Sequence, residues 1–436
     1  MPILGVIASS VNIGGGYWGT ALNSNSNQTQ FASIFIDDSS KACYQVYSYN
    51  FGNSPQPSIV KLNADGTFSY QRTYSASLPS GNALGGGGVD SSGNVYFAGV
   101  ANQVNNNPTY LLKMTSSGTL SVQKVWNNTN EGSVLGRALC LNPGGAQLML
   151  ASTGQQSQID PCLNLFDTSF NAGVSARWNG TGNQNQNGVL MPDQRRVSTW
   201  ASAPQFMLNT DNSVRWAVTS GDYFNGSGCT NPNGDLFFIP PSGGNGLDVA
   251  KINTTTGALI WAKRLTENSN SKENVGIVAN NSFVYTMFYG SNGTTGNITI
   301  SKRNASDGSL VWQRRLSSST SGKQDLRGYG AYYTNGQTIA VDSTDQNLYF
   351  SCYAYDETSS KVQYIWKVPA DGSKTGTYSL NSASFTWGSS SLTDSSFTPS
   401  RTSTSAGSVS QSISQTNGGN SLSSSQYVST SKVVIP

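Results

Sequence analysis

The stretch VAKINTTTGALIWAKR, residues 249–264, joins an apolar strand with a lysine to a polar turn with one glycine and a second strand with a tryptophan. The stretch TISKRNASDGSLVWQRR, residues 299–315, repeats this order. Five more degenerate copies begin at Ile59, Leu111, Cys162, Gln205 and Tyr364. Seven copies of one short motif predict a closed fold built from repeats.

The copies align on a single position, which is a lysine in five of them. The aligned residues are Lys61, Lys113, Asn164, Met207, Lys251, Lys302 and Lys367. Their spacing is roughly 43 to 65 residues, which is typical of four-stranded propeller blades. We therefore predict an all-β, seven-bladed β-propeller over residues 17–380, with an N-terminal leader, residues 1–16, and a Ser/Thr-rich C-terminal arm, residues 381–436.

Two ways of closing the ring are open. GGYWGTAL, which ends at Leu22, resembles the outer strands of the clearest copies, and its Trp18 matches Trp261 and Trp312. The N-terminal segment then supplies an outer strand of the last blade; alternatively, it pairs with strands of the C-terminal arm. The seventh copy itself places an outer strand within KTGTYSL, residues 374–380.

The connections between strands differ in length on the two faces of the predicted ring. Turns between the first and second and between the third and fourth strands are short and carry Asn, Asp and Gly, and they share one face. The other connections are long, and loops on a rigid scaffold often bind ligands. Ten aromatic residues of this loop face are candidate binding residues: Tyr49, Phe51, Trp178, Trp200, Tyr223, Phe224, Tyr289, Tyr332, Tyr353 and Tyr355.

Composition excludes several function classes. Charged residues make up 11% of the chain, the net charge is +3, and there is no histidine. A weak, unclustered charge gives no footprint for nucleic acid, no segment has the roughly 20 apolar residues of a membrane span, and catalytic triads and zinc sites that use histidine are excluded. The turn residues Asp37, Asp38, Asp90, Asp342 and Asp345 match no calcium-loop spacing, so we expect no metal and no cofactor.

The repeat signature resembles known propeller families. NTTTGALIW and NASDGSLVW are similar to the tryptophan-docking motif of quinoprotein-type repeats, and VDSSGNVYFAGVA is similar to bacterial bulk-propeller repeats. The resemblance implies that Trp216, Trp261 and Trp312 are structural and pack between adjacent blades. It implies no quinone site, because no such constellation of residues occurs. The lysines of the third strands are expected to be solvated and to protect sheet edges.

The first ten residues, MPILGVIASS, resemble the leader of virion-associated proteins of marine tailed phages. The resemblance implies a structural, non-enzymatic virion protein of the tail, a fibre or a capsid decoration, whose partners are other virion proteins and a host-surface glycan or receptor. We expect it to dock through both termini, with Ile3–Ile7 and Val433–Ile435 adding strands to a neighbour.

Two alternatives stay open on the same scaffold. One is a secreted bacterial adhesin. The other is a glycan-active hydrolase, which needs a pair of carboxyl groups in one cleft. Its acids would come from the long loops, and the candidates are Asp193, Asp222, Glu267, Glu273 and Asp356.

Overall fold

The described part of the chain consists of strands and turns without a helix. The computed structural model describes residues 16–24, 30–49, 56–74, 84–100, 109–127, 135–155, 159–178, 186–200, 205–220, 227–239, 246–267, 271–292, 294–328, 337–354, 362–398, 401–403, 408–410, 414–417, 422–423 and 428–435. No helix in these ranges is long and apolar enough to cross a membrane.

After strand β1 (Tyr17–Ser24), the described strands follow one another in antiparallel groups, which we call units 1 to 7. Unit 1 contains β2 (Gln30–Ile36), β3 (Cys43–Tyr49), β4 (Gln56–Leu62) and β5 (Phe68–Tyr74). Unit 2 contains β6 (Leu84–Val89), β7 (Val95–Val100), β8 (Thr109–Met114) and β9 (Leu120–Asn127). Unit 3 contains β10 (Leu135–Leu141), β11 (Gln147–Gln155), β12 (Ile159–Asp167) and β13 (Ala172–Trp178). Unit 4 contains β14 (Gln186–Leu190), β15 (Arg196–Trp200), β16 (Gln205–Leu208) and β17 (Val214–Ser220). Unit 5 contains β18 (Ser227–Thr230), β19 (Leu236–Ile239), β20 (Gly246–Ile252) and β21 (Leu259–Thr266). Unit 6 contains β22 (Ser271–Ala279), β23 (Phe283–Ser291), β24 (Gly296–Asn304) and β25 (Leu310–Ser318). Unit 7 contains β26 (Leu326–Arg327), β27 (Ile339–Val341), β28 (Asn347–Ala354) and β29 (Val362–Pro369).

The described strands form six hydrogen-bonded sheets, not the seven separate sheets that the repeats predict. Five sheets carry one unit each, whereas the ten-stranded sheet carries units 2 and 3, because β6 and β10 pair in parallel. The glycines of β6 allow this approach, since a Cβ atom at Gly86 would clash with the carbonyl oxygen of Leu139. The separate-sheet prediction is therefore wrong at units 2 and 3.

Contacts between neighbouring units arrange them in a ring. The tryptophan Nε1 atoms of Trp216, Trp261 and Trp312 donate to turn carbonyls of the next unit, at Thr254, Ala305 and Ala370, over 3.2, 3.4 and 3.2 Å. Trp18 of β1 closes the circle, because its Nε1 donates to Ala64 of unit 1 over 2.9 Å. The fold is a β-propeller.

Both ways of closing the ring occur together. Strands β26 and β27 both pair with β28 and are two parts of the first strand of unit 7. Strand β1 is therefore its fourth strand, where Trp18 pairs with Lys367 of β29. On its other side β1 pairs with the last strand of the chain, and Trp18 faces Val434. The predicted outer strand of the seventh copy is wrong, because Gly376–Leu380 pairs with a strand on unit 6 instead.

The C-terminal segment is not a separate arm in its described part. After unit 7 the chain returns around the ring in the opposite direction and adds one strand to the outer edge of each unit, in the order 6, 5, 4, 3, 2, 1 and 7. We call these strands the belt: β30 (Gly376–Leu380), β31 (Ala383–Ser389), β32 (Thr393–Ser396), β33 (Arg401–Ser403), β34 (Ser408–Ser410), β35 (Ser414–Asn417), β36 (Leu422–Ser423) and β37 (Val428–Ile435). Because unpaired strand edges invite aggregation, the belt protects the outside of the propeller.

Pairing within the chain also accounts for the last residues. Ile435 pairs with Tyr17 and is buried, so one edge of the strand with Val433–Ile435 is used within the chain. This strand is the last of its sheet, and pairing of its outer edge with another protein stays a prediction. The N-terminal residues Ile3–Ile7 lie outside the described residues.

Three of the five aligned lysines are not solvated edge residues, while Lys61 and Lys113 are partly exposed. Lys251, Lys302 and Lys367 are buried, and each side chain crosses the seam between two units to a turn carbonyl: Ala305, Ala370 and Ala64, respectively. These are the same three carbonyls that accept from the docking tryptophans Trp261, Trp312 and Trp18. The predicted exposure is wrong because the next unit covers the outer end of each third strand.

Arginines occupy the two seams where the lysine is missing. In unit 4, which has Met207 at the aligned position, Arg195 donates to Thr254 over 3.1 Å, the carbonyl that also accepts from Trp216. In unit 3, which has Asn164, the seam is crossed from the other side: Arg196 of unit 4 donates to the carbonyl of Leu163 over 3.4 Å. Burial lowers the pKa of Arg196 to about 10.

The buried Lys367 predicts a pH dependence of stability. Burial lowers the pKa of Lys367 to about 8, against 10.5 for a free side chain. Between these values the side chain of Lys367 binds more protons in the unfolded chain than in the folded chain, so it contributes a rise in the free energy of unfolding from about pH 8 to 10. The buried thiols of Cys43, Cys140, Cys229 and Cys352, whose pKa burial raises, contribute a fall over the upper part of this range. The Lys367 contribution is therefore measured as a difference: in denaturant unfolding along this range, the native chain should gain stability with pH relative to K367M. Equal slopes for K367M and the native chain would contradict the prediction.

Candidate binding site on the loop face

The structure describes the surroundings of only some of the ten predicted aromatic residues. Tyr289 and Tyr353 are described with their side chains. Tyr49, Trp178 and Trp200 lie at the loop-face ends of β3, β13 and β15, and only their backbone is described. Phe51, Tyr223, Phe224, Tyr332 and Tyr355 lie outside the described residues. The candidate site is therefore built around Tyr289 and Tyr353.

Tyr289 and Tyr353 meet at the seam between units 6 and 7. Each lies near the end of the second strand of its unit, β23 or β28, where the chain reaches the loop face. Glu273 on β22 is the cross-strand partner of Tyr289, and Arg327 on β26 is the partner of Tyr353. Since directly paired residues of an antiparallel sheet project to the same side, the pairing brings an acid, a base and two phenols together. We call Glu273, Tyr289, Asp325, Arg327 and Tyr353 the seam cluster.

An ion pair fixes the position of Arg327 in the seam cluster. Its Nε donates to Asp325 Oδ2 over 2.8 Å, and a terminal nitrogen of the guanidinium lies 2.6 Å from the same oxygen. Ser291 Oγ donates to the other oxygen of Asp325 over 3.1 Å. Gly296 makes room, because a Cβ atom there would clash with that oxygen. The guanidinium is thus held in place while 31% of its side chain stays exposed.

The electrostatics of the cluster favour an uncharged Glu273. Burial raises the pKa of Glu273, and the hydrogen bond from Tyr289 and the charge of Arg327 offset only part of that effect. Burial also raises the pKa of Tyr353. For Arg327, burial acts to lower the pKa, but the hydrogen bond and charge of Asp325 outweigh it and raise the pKa. The cluster therefore presents phenol groups and a carboxyl group whose pKa burial raises, beside a guanidinium whose charge Asp325 balances.

This chemistry suits a ligand rich in hydroxyl groups. Phenol rings supply an apolar face and a polar edge, and neutral donors and acceptors pair with hydroxyls without desolvating a net charge. A metal is not indicated, since within the described ranges no three acids or cysteines lie close enough to hold one. The described cysteine side chains, Cys43, Cys140, Cys229 and Cys352, are free thiols.

Sequence reasoning missed Asp325 and Arg327, and it listed Glu273 only among the acids of a possible hydrolase. Of the other acids in that set, Asp222 and Asp356 lie outside the described residues. Asp193 pairs with Arg195, and Glu267 pairs with Arg315, both away from the seam cluster. One signal for Asp325 and Arg327 was present in the sequence. The tripeptide Asp-Leu-Arg, residues 325–327, places two opposite charges close together inside a long predicted loop, in a chain with only 11% charged residues.

Comparison with known proteins identifies no family for this chain. No protein-family model and no curated protein matches the sequence. Solved structures similar to the chain include the periplasmic gluconolactonase of Pseudomonas aeruginosa (TM-score 0.46, 11% identity, 67% of this chain and 94% of that chain) and the Dos1 propeller (TM-score 0.44, 10% identity, 79% and 93%). A subtype N10 neuraminidase-like protein of A/little yellow-shouldered bat/Guatemala is also similar (TM-score 0.40, 8% identity, 79% and 97%). These likenesses carry no argument about ligand or reaction.

Proposed function

We propose that the protein is a structural component of a tailed-phage virion, in the tail, a fibre or a capsid decoration, and that the loop face of its propeller binds a host-surface glycan. The virion part rests on the resemblance of residues 1–10 and places attachment to neighbouring virion proteins at residues 1–16. The glycan part rests on one observation of the structure, the seam cluster with its two tyrosines and its charge-balanced guanidinium. A polar, low-charge surface is compatible with both parts.

Binding through the seam cluster predicts a loss of affinity in conservative variants. Y353F removes one hydroxyl and E273Q replaces the carboxyl group with an amide, while both keep the size of the side chain. Each should weaken glycan binding about tenfold, which corresponds to about 1.4 kcal/mol for one lost hydrogen bond to the ligand. A glycan array followed by calorimetry on the best hit measures the change.

The matched control is Y378F. Tyr378 lies in belt strand β30 on the outer wall, where its hydroxyl donates to the carbonyl of Lys374 over 2.6 Å. This variant should bind as the native chain does. If no glycan binds the native chain, or if E273Q and Y353F bind as well as Y378F does, the seam cluster is not the binding site. The virion proposal has its own test, which is mass spectrometry of purified particles.

A glycan-active hydrolase is the second candidate, and the raised pKa of Glu273 favours it. A carboxyl group whose pKa is raised is better suited to protonate a glycosidic oxygen than an ordinary one, and Asp325 supplies a second carboxyl group in the same cluster. Under this proposal E273Q binds the glycan but no longer releases reducing sugar from it. Binding without turnover by the native chain would exclude the hydrolase and keep the binding protein.

We also propose that the propeller has seven blades and that the ten-stranded sheet forms two of them. Units 2 and 3 each have the same four-strand order as the other units, and they share only the parallel pairing of β6 and β10. An electron cryo-microscopy map viewed along the ring axis tests this count. Five or six radial blades would refute it.

A further inference from the structure

A channel runs along the axis of the propeller, on the side away from the seam cluster. Its inner part, which we call the throat, has a volume of about 250 Å³ and is lined by the first strands of all seven units. Its outer part, the mouth, has a volume of about 470 Å³ and lies between the short turns that follow these strands. Pro143 and Thr230 line both parts, so the two volumes lie next to each other.

The wall of the throat is apolar. Ile36, Val89, Leu141 and Val278 come from four different units, and each is partly exposed although most apolar side chains of the described strands are buried. The neighbouring Ile339 and Ala340 are buried beside them. An apolar cavity of about 150 Å³ is large enough for a benzene ring. The throat therefore has room for an aromatic ring or a branched alkyl group.

The mouth is polar and slightly acidic. Lys41 bridges Asp38 and Asp342 over 3.3 and 3.5 Å, and Lys302 pairs with Asp345 over 2.6 Å. The described lining of the mouth includes Asp38, Asp342 and Asp345 and no lysine or arginine, while Lys41, Lys302 and Lys367 interact with these carboxylates from outside the lining. Asp38 has half of its side chain exposed, and it is the carboxylate most accessible to a ligand. The mouth suits a neutral or cationic group and disfavours a carboxylate.

We propose that the axial channel is a second binding site, for a small amphipathic molecule with an aromatic or branched alkyl group and a neutral or cationic head. The apolar group enters the throat and its head contacts the turns of the mouth. This site is independent of the proposed glycan site, which lies at the opposite ends of the strands. A small molecule fits the throat better than a protein segment, because its volume of about 250 Å³ is of the size of one ring or alkyl group with its substituents.

The test uses the full chain and three probes of one size: benzylamine, benzyl alcohol and benzoate. Saturation-transfer NMR and calorimetry should show the first two binding in the millimolar range or tighter, and benzoate at least about tenfold weaker. V278F fills the throat and should abolish binding of all probes, whereas V278A should keep it. V311F is the matched control, because Val311 lies on the outer wall with 47% of its surface exposed.

Thermal unfolding of each variant shows whether it is folded. If V278F is not folded, the binding of the three probes to V278A and to the native chain still decides the test. Binding that is lost in V278F and kept in V278A and V311F supports the channel site. Binding that V278F leaves unchanged, equal binding of benzoate and benzylamine, or no binding by the native chain would overturn the proposal.

Discussion

Removing residues 381–436 should leave a chain that aggregates instead of a stable propeller. The deletion removes belt strands β31 to β37 and exposes the outer edge of every sheet, and exposed edges pair with other chains. It also removes Phe385 and Trp387, which are buried against Trp366 and Phe350 with ring centroids 5.3 and 5.6 Å apart. Loss of each large core ring costs about 3 to 5 kcal/mol. Size-exclusion chromatography and thermal unfolding of the truncated chain measure the effect.

A smaller deletion separates the closing strand from the rest of the belt. Removing residues 427–436 takes away only β37, which pairs with all eight residues of β1. At about 1 kcal/mol net for each backbone hydrogen bond, several kcal/mol of stability should be lost at the seam that closes the ring. Two substitutions in β37 give the matched pair: I435S, at a buried position, should destabilise, and V434S, at a position 63% exposed, should not. A soluble chain of residues 1–380 with native stability would show that the belt is dispensable.

The sequence predicted the units because their signal lies in side chains. Apolar second strands such as Leu348–Ala354 recur along the chain, and glycines such as Gly257 and Gly308 occupy the turn in five of the seven copies. Phe170 and Asn212 take the same place, with positive φ, in the other two. The belt carries almost no such signal. All four residues of β32, Thr393–Ser396, are exposed, so this strand is held by its backbone, and its composition is that of a linker.

The aligned lysines show a second limit of sequence reasoning. A lysine near the end of an outer strand reads as a solvated residue, and only the next unit reveals the carbonyl that it reaches. An aromatic residue of the preceding strand was the available clue: the ammonium groups of Lys251 and Lys367 lie 5.6 and 5.7 Å from the rings of Phe237 and Tyr349. A cation beside an aromatic face can be accommodated within a seam.

The candidate binding site was predictable in part. The long connections on one face of the ring predicted that a binding site would lie on that face, and Tyr289 and Tyr353 were among the aromatic residues predicted there. Their meeting with Glu273 depends on the register between β22 and β23, and a shift of one residue would have turned Glu273 to the other side of the sheet. Asp325 precedes the short strand β26, and Arg327 lies in it. The long polar segment around β26 has no pattern that predicts a strand there.

The repeat tryptophans should act on stability, and W312A is expected to lower the free energy of unfolding by about 3 to 5 kcal/mol. Trp312 is buried, donates to the carbonyl of Ala370 over 3.2 Å, and contacts the ring of Tyr285 at 6.1 Å between centroids. It also packs against Gly372 of the next unit, where a Cβ atom would lie 2.9 Å from the indole. Truncation therefore opens a cavity between two units and leaves the Ala370 carbonyl with one donor fewer.

Two further variants identify the seam as the cause. G372A adds a methyl group from the opposite side of the seam, at a residue with φ +75, so it should destabilise by about 1 to 3 kcal/mol through overpacking and backbone strain. V311A changes the exposed neighbour of Trp312 and should leave stability unchanged within about 0.5 kcal/mol. Denaturant unfolding of the three variants measures these differences, while glycan binding by folded W312A should equal that of the native chain. Native stability of W312A together with lost binding would mean that the tryptophan belongs to a binding site and not to the joint between units.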